Sequence, residues 1–136
     1  MQEPILKNYQ KLVNLKFSGK VESGAGIGRK LGFPTANLDI APKNLPQGIY
    51  VCQILIGDKI KNGVLFFGPR ETFGEIKLST EVHIFDFTGN LLGETIIITP
   101  LFFLRKSQKF TNEEELKKAI ATDCELAKQL TVNSEQ

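Results

Sequence analysis

Apolar residues in the middle of the chain come in short runs that are separated by turn residues. This pattern predicts β-strands over residues 48–56, 61–67 and 78–87, and one long or two short strands over residues 91–104, broken near Pro100. The segment Thr88-Gly89-Asn90 predicts a hairpin turn. Because helical segments do not alternate with these strands, we expect a small antiparallel barrel or sandwich rather than a parallel sheet.

The C-terminal part of the chain has a different period. Thr111 and Asn112 provide a capping signal, and three glutamates follow in what would be the first helical turn. We expect a helix that runs to about Leu130, with an apolar stripe at a spacing of 3.6 residues formed by Leu116, Ala119, Ile120, Ala127 and Leu130. Asp123 lies on this stripe, where it either ties the helix to a loop or occupies a solvated edge.

Composition limits the classes of protein that fit. A chain of 136 residues suits one domain, which we place at residues 15–131 between an N-terminal lead (1–14) and a tail (132–136). The formal net charge of +2 argues against nucleic acid or a membrane surface as partner. Cys52 and Cys124 are expected to be reduced packing residues. With no signal peptide or transmembrane run in view, we expect a cytoplasmic location.

A glycine-rich segment carries the clearest chemistry. Alternate glycines leave backbone N–H groups free to face an anion, and the cations beside them add countercharge. Thr35 and Asn37 are one residue apart, so in an extended segment they face the same side and offer Mg²⁺ two hard oxygen ligands. The alternative is an ordinary turn after Pro34. The segment contains Gly24, Gly26, Gly28, Arg29, Lys30, Pro34, Thr35 and Asn37.

These residues belong to a longer match. The segment at residues 17–38 reads FSGKVESGAGIGRKLGFPTANL, and it is followed by LPQGIY at 45–50, TEVHI at 80–84, Leu-Gly at 92–93, Leu-Arg at 104–105 and Lys-Phe at 109–110. Read together, these segments resemble the riboflavin kinase (flavokinase) family, in particular the kinase domain of bifunctional bacterial FAD synthetases without the adenylyltransferase domain. The resemblance implies a closed Greek-key antiparallel β-barrel with a C-terminal helix.

The resemblance also implies an activity and its residues. The family transfers the γ-phosphate of ATP to riboflavin, with Mg²⁺, and releases FMN and ADP. Glu81 matches the catalytic base, and strand alternation would put it on one face with His83 and Phe85. Thr35 and Asn37 match the Mg²⁺ ligands, and Arg105 would border the flavin. ATP would be bound by Gly24, Gly26, Gly28, Arg29, Lys30, Pro34, Thr35 and Asn37.

The chain departs from the family pattern within the segment 63–73 and in the loop after Arg105. Phe66 stands where relatives carry asparagine, and Glu71 where they carry proline. Phe66 either offers aromatic surface to a flavin or enlarges the core. The loop after Arg105 reads Lys106-Ser107 instead of proline and an acidic residue.

The departures leave a second function open, which is a catalytically impaired flavin- or nucleotide-binding module of the same fold. A barrel that binds single-stranded nucleic acid is a further alternative, against which the low net charge argues. We expect a monomer whose partners are small molecules only.

Overall fold

The computed structural model describes residues 9–13, 15–23, 32–72 and 75–134. For residues 71, 72 and 132–134 it describes the backbone only. Within these ranges the chain forms six strands and one C-terminal helix. In chain order they are β1 (Phe17–Glu22), β2 (Ala36–Leu38), β3 (Gly48–Ile56), β4 (Lys59–Thr72), β5 (Glu75–Ile84), β6 (Thr95–Arg105) and α1 (Glu113–Ser134).

The strands close into a barrel in the order β1-β2-β5-β4-β3-β6, and every pairing is antiparallel. The predicted fold class is therefore confirmed. The predicted hairpin at 88–90 is wrong, because β5 and β6 are not neighbours in the barrel. Residues 85–94 instead connect two strands that pair with other partners, and Gly89 bends this connection at a φ of 143°.

Alternation along the strands divides the apolar side chains between two clusters. The barrel interior is filled by residues such as Leu65, Val82 and Ile98, all fully buried. A second cluster lies on the outer face, where α1 covers the sheet with Cys124, Ala127 and Leu130. The barrel therefore has a solvent-shielded outer surface as well as an interior, and this surface carries the candidate site.

The predicted strand at 48–56 is confirmed, whereas the next two differ from their predicted bounds. β4 reaches Thr72, five residues beyond its predicted end, because its ladder with β5 continues through Gly68 and Pro69. Pairing with β3 stops at Phe67, so Pro69 stands on a free edge of β4, where a missing N–H is tolerated. β5 ends at Ile84, before a turn in which Asp86 has a φ of 53°.

Strand β6 runs through Pro100 without a break. It pairs with β3 through two irregularities, which leave Leu101 and Leu104 without an opposite residue. Such bulges shift the alternation of the side chains that follow. Leu101 and Phe102 consequently both join the outer cluster although they are adjacent in sequence.

The helix begins and ends close to where the sequence predicts. Asn112 caps it, since its side-chain oxygen accepts a hydrogen bond from the backbone N–H of Glu115 at 2.9 Å. It ends at Ser134, four residues later than predicted, so the helix includes residues 132–134 of the predicted tail. Among the described residues, no helix has the length and apolar character needed to cross a bilayer.

The two cysteines are both buried and unbridged. Cys52 lies in the barrel interior and Cys124 in the outer cluster. The prediction that they are reduced packing residues is confirmed.

Candidate active site

A cavity of about 860 Å³ lies between the outer face of the barrel and the N-terminal half of α1. One wall is formed by β3, β4 and β5, and the opposite wall by α1 together with residues 107–110. Side chains from the barrel wall include Ile49, Val64, Phe66, Arg70 and Glu81, and the helix contributes Leu116, Ile120 and Asp123.

Strand register aligns one row of side chains across this wall. Asn37 on β2 is opposite Glu81 on β5, Glu81 is opposite Phe66 on β4, and Phe66 is opposite Ile49 on β3. Ile49 is in turn opposite Arg105 on β6. Directly opposed residues on neighbouring strands share a face, so residues from five distant parts of the sequence meet in one row.

Glu81 is a buried carboxylate whose two oxygens both accept hydrogen bonds. Oε1 accepts from the Thr35 hydroxyl at 3.1 Å. Oε2 accepts from Arg70 Nε at 2.6 Å and from the Ser79 hydroxyl at 2.7 Å. Because Glu81 is only 7% exposed yet lines the cavity, its carboxylate is fixed in place and faces a space large enough for a ligand. The predicted alternation is confirmed, with Val82 and Ile84 in the interior.

Arg70 holds Glu81 while its guanidinium lies over an aromatic ring. The carbon atom Cζ of Arg70 is 4.8 Å from the centroid of the Phe66 ring. The side chain of Arg70 is 27% exposed. Phe66 therefore has a contact that neither sequence-based interpretation included: its ring supports the arginine that binds the buried carboxylate.

His83 fixes the segment that precedes β2. Its Nδ1 lies 2.7 Å from the carbonyl oxygen of Pro34. Since a carbonyl can only accept, Nδ1 carries the proton and donates it. The ring also meets Phe33 and Phe85 edge-on, with centroids 5.8 and 5.7 Å away. His83 thus anchors the Pro34–Thr35 peptide beside Glu81.

The predicted cation ligands lie next to the buried carboxylate. Thr35 lines the cavity and bonds to Glu81, and Asn37 is opposite Glu81 in the register. No side-chain hydrogen bond of Asn37 to another described residue is formed. The described ranges contain no cluster of three or more His, Cys, Asp and Glu side chains suited to a metal. A cation here would depend on hydroxyl, amide and ligand oxygens, as Mg²⁺ accepts.

Arg105 and Asp123 join the barrel to the helix at the far end of the cavity. Nε and a terminal amino group of Arg105 donate to the two carboxylate oxygens of Asp123 at 3.0 and 2.8 Å. The guanidinium also donates to the Lys106 carbonyl at 3.2 Å and lies 5.8 Å from the Phe110 ring centroid. Burial raises the pKa of Asp123, and the hydrogen bonds and charge of Arg105 oppose that rise. Asp123 is therefore buried and paired rather than on a solvated edge, and it ties the helix to the last residue of β6 rather than to a loop.

The thiol of Cys124 also borders this cavity. Burial raises its pKa to about 11, the Asp123 charge acts in the same direction, and Lys128 opposes both. At neutral pH the thiol stays protonated and is a poor nucleophile. It therefore serves as packing rather than as a reactive group.

The structure brings together several of the residues predicted to form the site. Thr35, Asn37 and Glu81 form one cluster, and Arg105 lies at the other end of the same row. Gly24, Gly26, Gly28, Arg29 and Lys30 lie outside the described residues. Sequence reasoning missed Arg70 and Ser79 as partners of Glu81. Ser79 could have been found from strand alternation, because it lies two residues before Glu81 on the same face.

Comparison with known proteins gives a consistent family. A sequence model described as riboflavin kinase matches residues 12–131. Over 107 residues the chain is 39% identical to the trifunctional protein RibF/MnmA of Mycoplasmoides gallisepticum and 36% identical to the RNA-binding riboflavin kinase RibR of Bacillus subtilis, covering 77% and 78% of this chain. It is 37% identical over 108 residues to the bifunctional riboflavin kinase/FMN adenylyltransferase of Escherichia coli K12, which covers 78% of this chain.

These relatives are longer proteins. The chain spans 16%, 46% and 34% of their lengths, respectively. Among solved structures, one titled as a macrolide-efflux protein from Streptococcus pneumoniae superposes with a TM-score of 0.71 at 32% identity, covering 80% of this chain and 36% of that one. Because the family match covers nearly all of the barrel and the helix, the chain belongs to the riboflavin kinase family.

Proposed function

We propose that this chain is a riboflavin kinase that transfers the γ-phosphoryl group of ATP to the ribityl 5′-hydroxyl of riboflavin, giving FMN and ADP. The observation that carries the proposal is the buried Glu81 carboxylate, which faces the cavity with Thr35 bonded to it and Asn37 opposite it. A carboxylate beside hard oxygen ligands is what transfer of a phosphoryl group to an alcohol requires.

Glu81 is proposed to act as the catalytic base. It orients the 5′-hydroxyl and accepts its proton while the oxygen–phosphorus bond forms and the bond to the ADP oxygen breaks. Strong basicity is not needed, because the loose transition state of phosphoryl transfer depends mostly on positioning. The Thr35 hydrogen bond is the longest of the three to Glu81, so a substrate hydroxyl would displace this donor first.

Thr35 and Asn37 are proposed to hold Mg²⁺ together with the ATP phosphates. Their hydroxyl and amide oxygens fit a hard cation, and both residues have a lone pair that no described donor occupies. When bound by these residues, Mg²⁺ would supply positive charge that offsets the negative charge of the transferred phosphoryl group. The ATP contacts predicted for Gly24, Gly26, Gly28, Arg29, Lys30 and Pro34 remain part of this proposal and rest on the family resemblance.

The rest of the cavity is proposed to bind the flavin. Its walls are largely apolar, with Ile49 and Val64 on the barrel side and Phe110 and Leu116 opposite them. A planar apolar ring system suits such a space. Arg105 is proposed to border the flavin, with its guanidinium held in place by Asp123.

Conversion of riboflavin to FMN tests the proposal. Purified protein with Mg-ATP should form FMN, detected chromatographically, and removal of divalent cations with EDTA should stop it. Glu81→Gln should lower kcat by at least about 100-fold, since it removes the proton acceptor but keeps the size of the side chain. Glu75→Gln is the matched control, because this carboxylate on the same strand is 68% exposed, and its kcat should equal that of the wild type.

One observation favours the alternative of a flavin- or nucleotide-binding module without catalysis. Both oxygens of Glu81 are engaged by neighbouring donors, so the carboxylate has to exchange a partner before it contacts substrate. Wild-type protein that binds riboflavin but forms no FMN would support this alternative. FMN formed by the wild type and lost in Glu81→Gln would reject it.

A further inference from the structure

The guanidinium of Arg70 lies over the ring of Phe66, immediately beside Glu81. The guanidinium lies 4.8 Å above the Phe66 ring, and its Nε donates to Glu81 Oε2 at 2.6 Å. Phe66 is also directly opposite Glu81 in the strand register. Phe66 and Arg70 both lie on β4, and Glu81 lies on the neighbouring strand β5. The ring of Phe66 therefore supports the cation that binds the Glu81 carboxylate.

We propose that Arg70 is a positioning residue that sets the orientation of the Glu81 carboxylate, and that Phe66 acts through Arg70 by limiting the positions open to its guanidinium. This inference deepens the proposed function and rests on it. Arg70 and Ser79 hold Oε2, which leaves Oε1 to face an incoming hydroxyl once Thr35 gives way. A carboxylate fixed at one oxygen presents the other in a defined direction.

The contact with Phe66 explains why the arginine can do this. A free arginine side chain has many rotamers, and immobilising it costs conformational entropy. Contact with the face of the Phe66 ring limits the positions open to the guanidinium and adds a favourable cation–π interaction. The short Nε contact to a buried carboxylate then has a defined angle as well as a defined length.

The contact with Arg70 explains the departure from the family pattern at Phe66. The family pattern has asparagine at this position, and an amide offers no aromatic face on which a guanidinium can stack. In this chain the position is occupied by phenylalanine, whose ring contacts and supports Arg70. The contact with Arg70 gives Phe66 a role within the proposed site, so the presence of this residue does not by itself indicate lost catalysis.

Steady-state kinetics of single and double variants test this inference. Arg70→Gln should lower kcat by about 10- to 100-fold, while KM for riboflavin and ATP changes by less than about threefold. Arg70→Lys should recover only part of kcat, because an ammonium group keeps the charge but lacks the planar Nε donor. Lys77→Gln is the matched control, since this exposed cation lies opposite Arg70 in the register, and it should leave kcat unchanged.

The variant Phe66→Leu tests the contribution of the aromatic ring apart from that of Arg70 itself. On its own it should lower kcat by about three- to tenfold, and in the Arg70→Gln background it should have no further effect on kcat, because its route to Glu81 is already lost. If the two substitutions instead lower kcat by independent factors that multiply in the double variant, Phe66 does not act through Arg70 and the inference is overturned. A rise in KM for ATP with unchanged kcat in Arg70→Gln would make Arg70 a nucleotide-binding residue and overturn the positioning role.

A measurement that does not depend on turnover distinguishes failure of this inference from failure of the proposed kinase function. In ¹⁵N-labelled wild type, the Arg70 Nε–H should exchange slowly with water, and Phe66→Leu should speed this exchange by at least about tenfold. Wild-type protein that forms no FMN contradicts the proposed function. A rapidly exchanging Nε–H in the wild type, or one that Phe66→Leu leaves unaltered, contradicts the Phe66–Arg70–Glu81 arrangement whether or not FMN forms.

Discussion

Two glycines of β4 differ in how closely the neighbouring chain approaches them. A Cβ atom on Gly63 would lie 2.2 Å from the carbonyl oxygen of His83, a backbone atom on the paired strand. A Cβ atom on Gly68 would lie 3.5 Å from the Ser107 hydroxyl oxygen, which is an ordinary contact. At the residue scale, Gly63 is required because β5 passes so close at His83, the residue that anchors Pro34.

Alanine substitution should separate the two positions. Gly63→Ala should reduce the free energy of unfolding by about 1–3 kcal/mol, because the barrel wall has to shift to admit the methyl group. Gly68→Ala should change it by no more than about 0.5 kcal/mol. Urea unfolding followed by circular dichroism measures both, and equal effects of the two substitutions would contradict the close approach at Gly63.

At the element scale, the site depends on how β6 and α1 are joined. Strict alternation would point Arg105 in the same direction as Phe103, which packs against the barrel interior. The bulge at Leu104 aligns Arg105 with Ile49 instead, so that its guanidinium reaches Asp123 on the helix. One extra residue in a strand thus provides the ion pair that closes one end of the cavity.

Breaking this pair should cost more than replacing both partners. Asp123→Ala leaves a largely buried arginine unpaired and should lower the free energy of unfolding by about 2–3 kcal/mol. This loss is near the lower end of the range for breaking buried ion pairs, because the Arg105 side chain is 26% exposed. The double variant Arg105→Met/Asp123→Leu should lie within about 1 kcal/mol of wild type. Denaturant unfolding of the three proteins provides the comparison. A double variant less stable than Asp123→Ala would show that the pair does not act as a unit.

The elements were predictable where one physical signal dominated. β3 has clear turn residues on both sides, and the helix has a cap and an apolar stripe, so both were located well. β4 was predicted too short because Gly68 and Pro69 indicate a turn, whereas pairing with β5 alone maintains the strand there. The hairpin at 88–90 was wrong because local turn residues do not reveal which strands become neighbours. The bulges of β6 depend on the register with β3. The bulge at Leu101 has a local signal, the adjacent Pro100, which suggested a break, whereas the bulge at Leu104 has none.

At the scale of the whole molecule, the candidate site lies outside the barrel and under the helix. The motif residues Thr35, Asn37 and Glu81 were predictable from the family resemblance, and their proximity follows from the β2–β5 register. Arg70 and Phe66 were visible in the sequence only as parts of an altered motif. Their contacts with Glu81 depend on the long β4–β5 ladder, which the sequence pattern underestimated.

The position of riboflavin in a crystal structure of the complex with Mg-ADP tests the central claim most directly. The account predicts that the flavin ring lies between the barrel face and α1, with the ribityl 5′-oxygen about 2.6–3.2 Å from a carboxylate oxygen of Glu81. Riboflavin bound elsewhere on the molecule, or bound in the cavity with its 5′-oxygen too far from Glu81 for a hydrogen bond either directly or through one water, would contradict it.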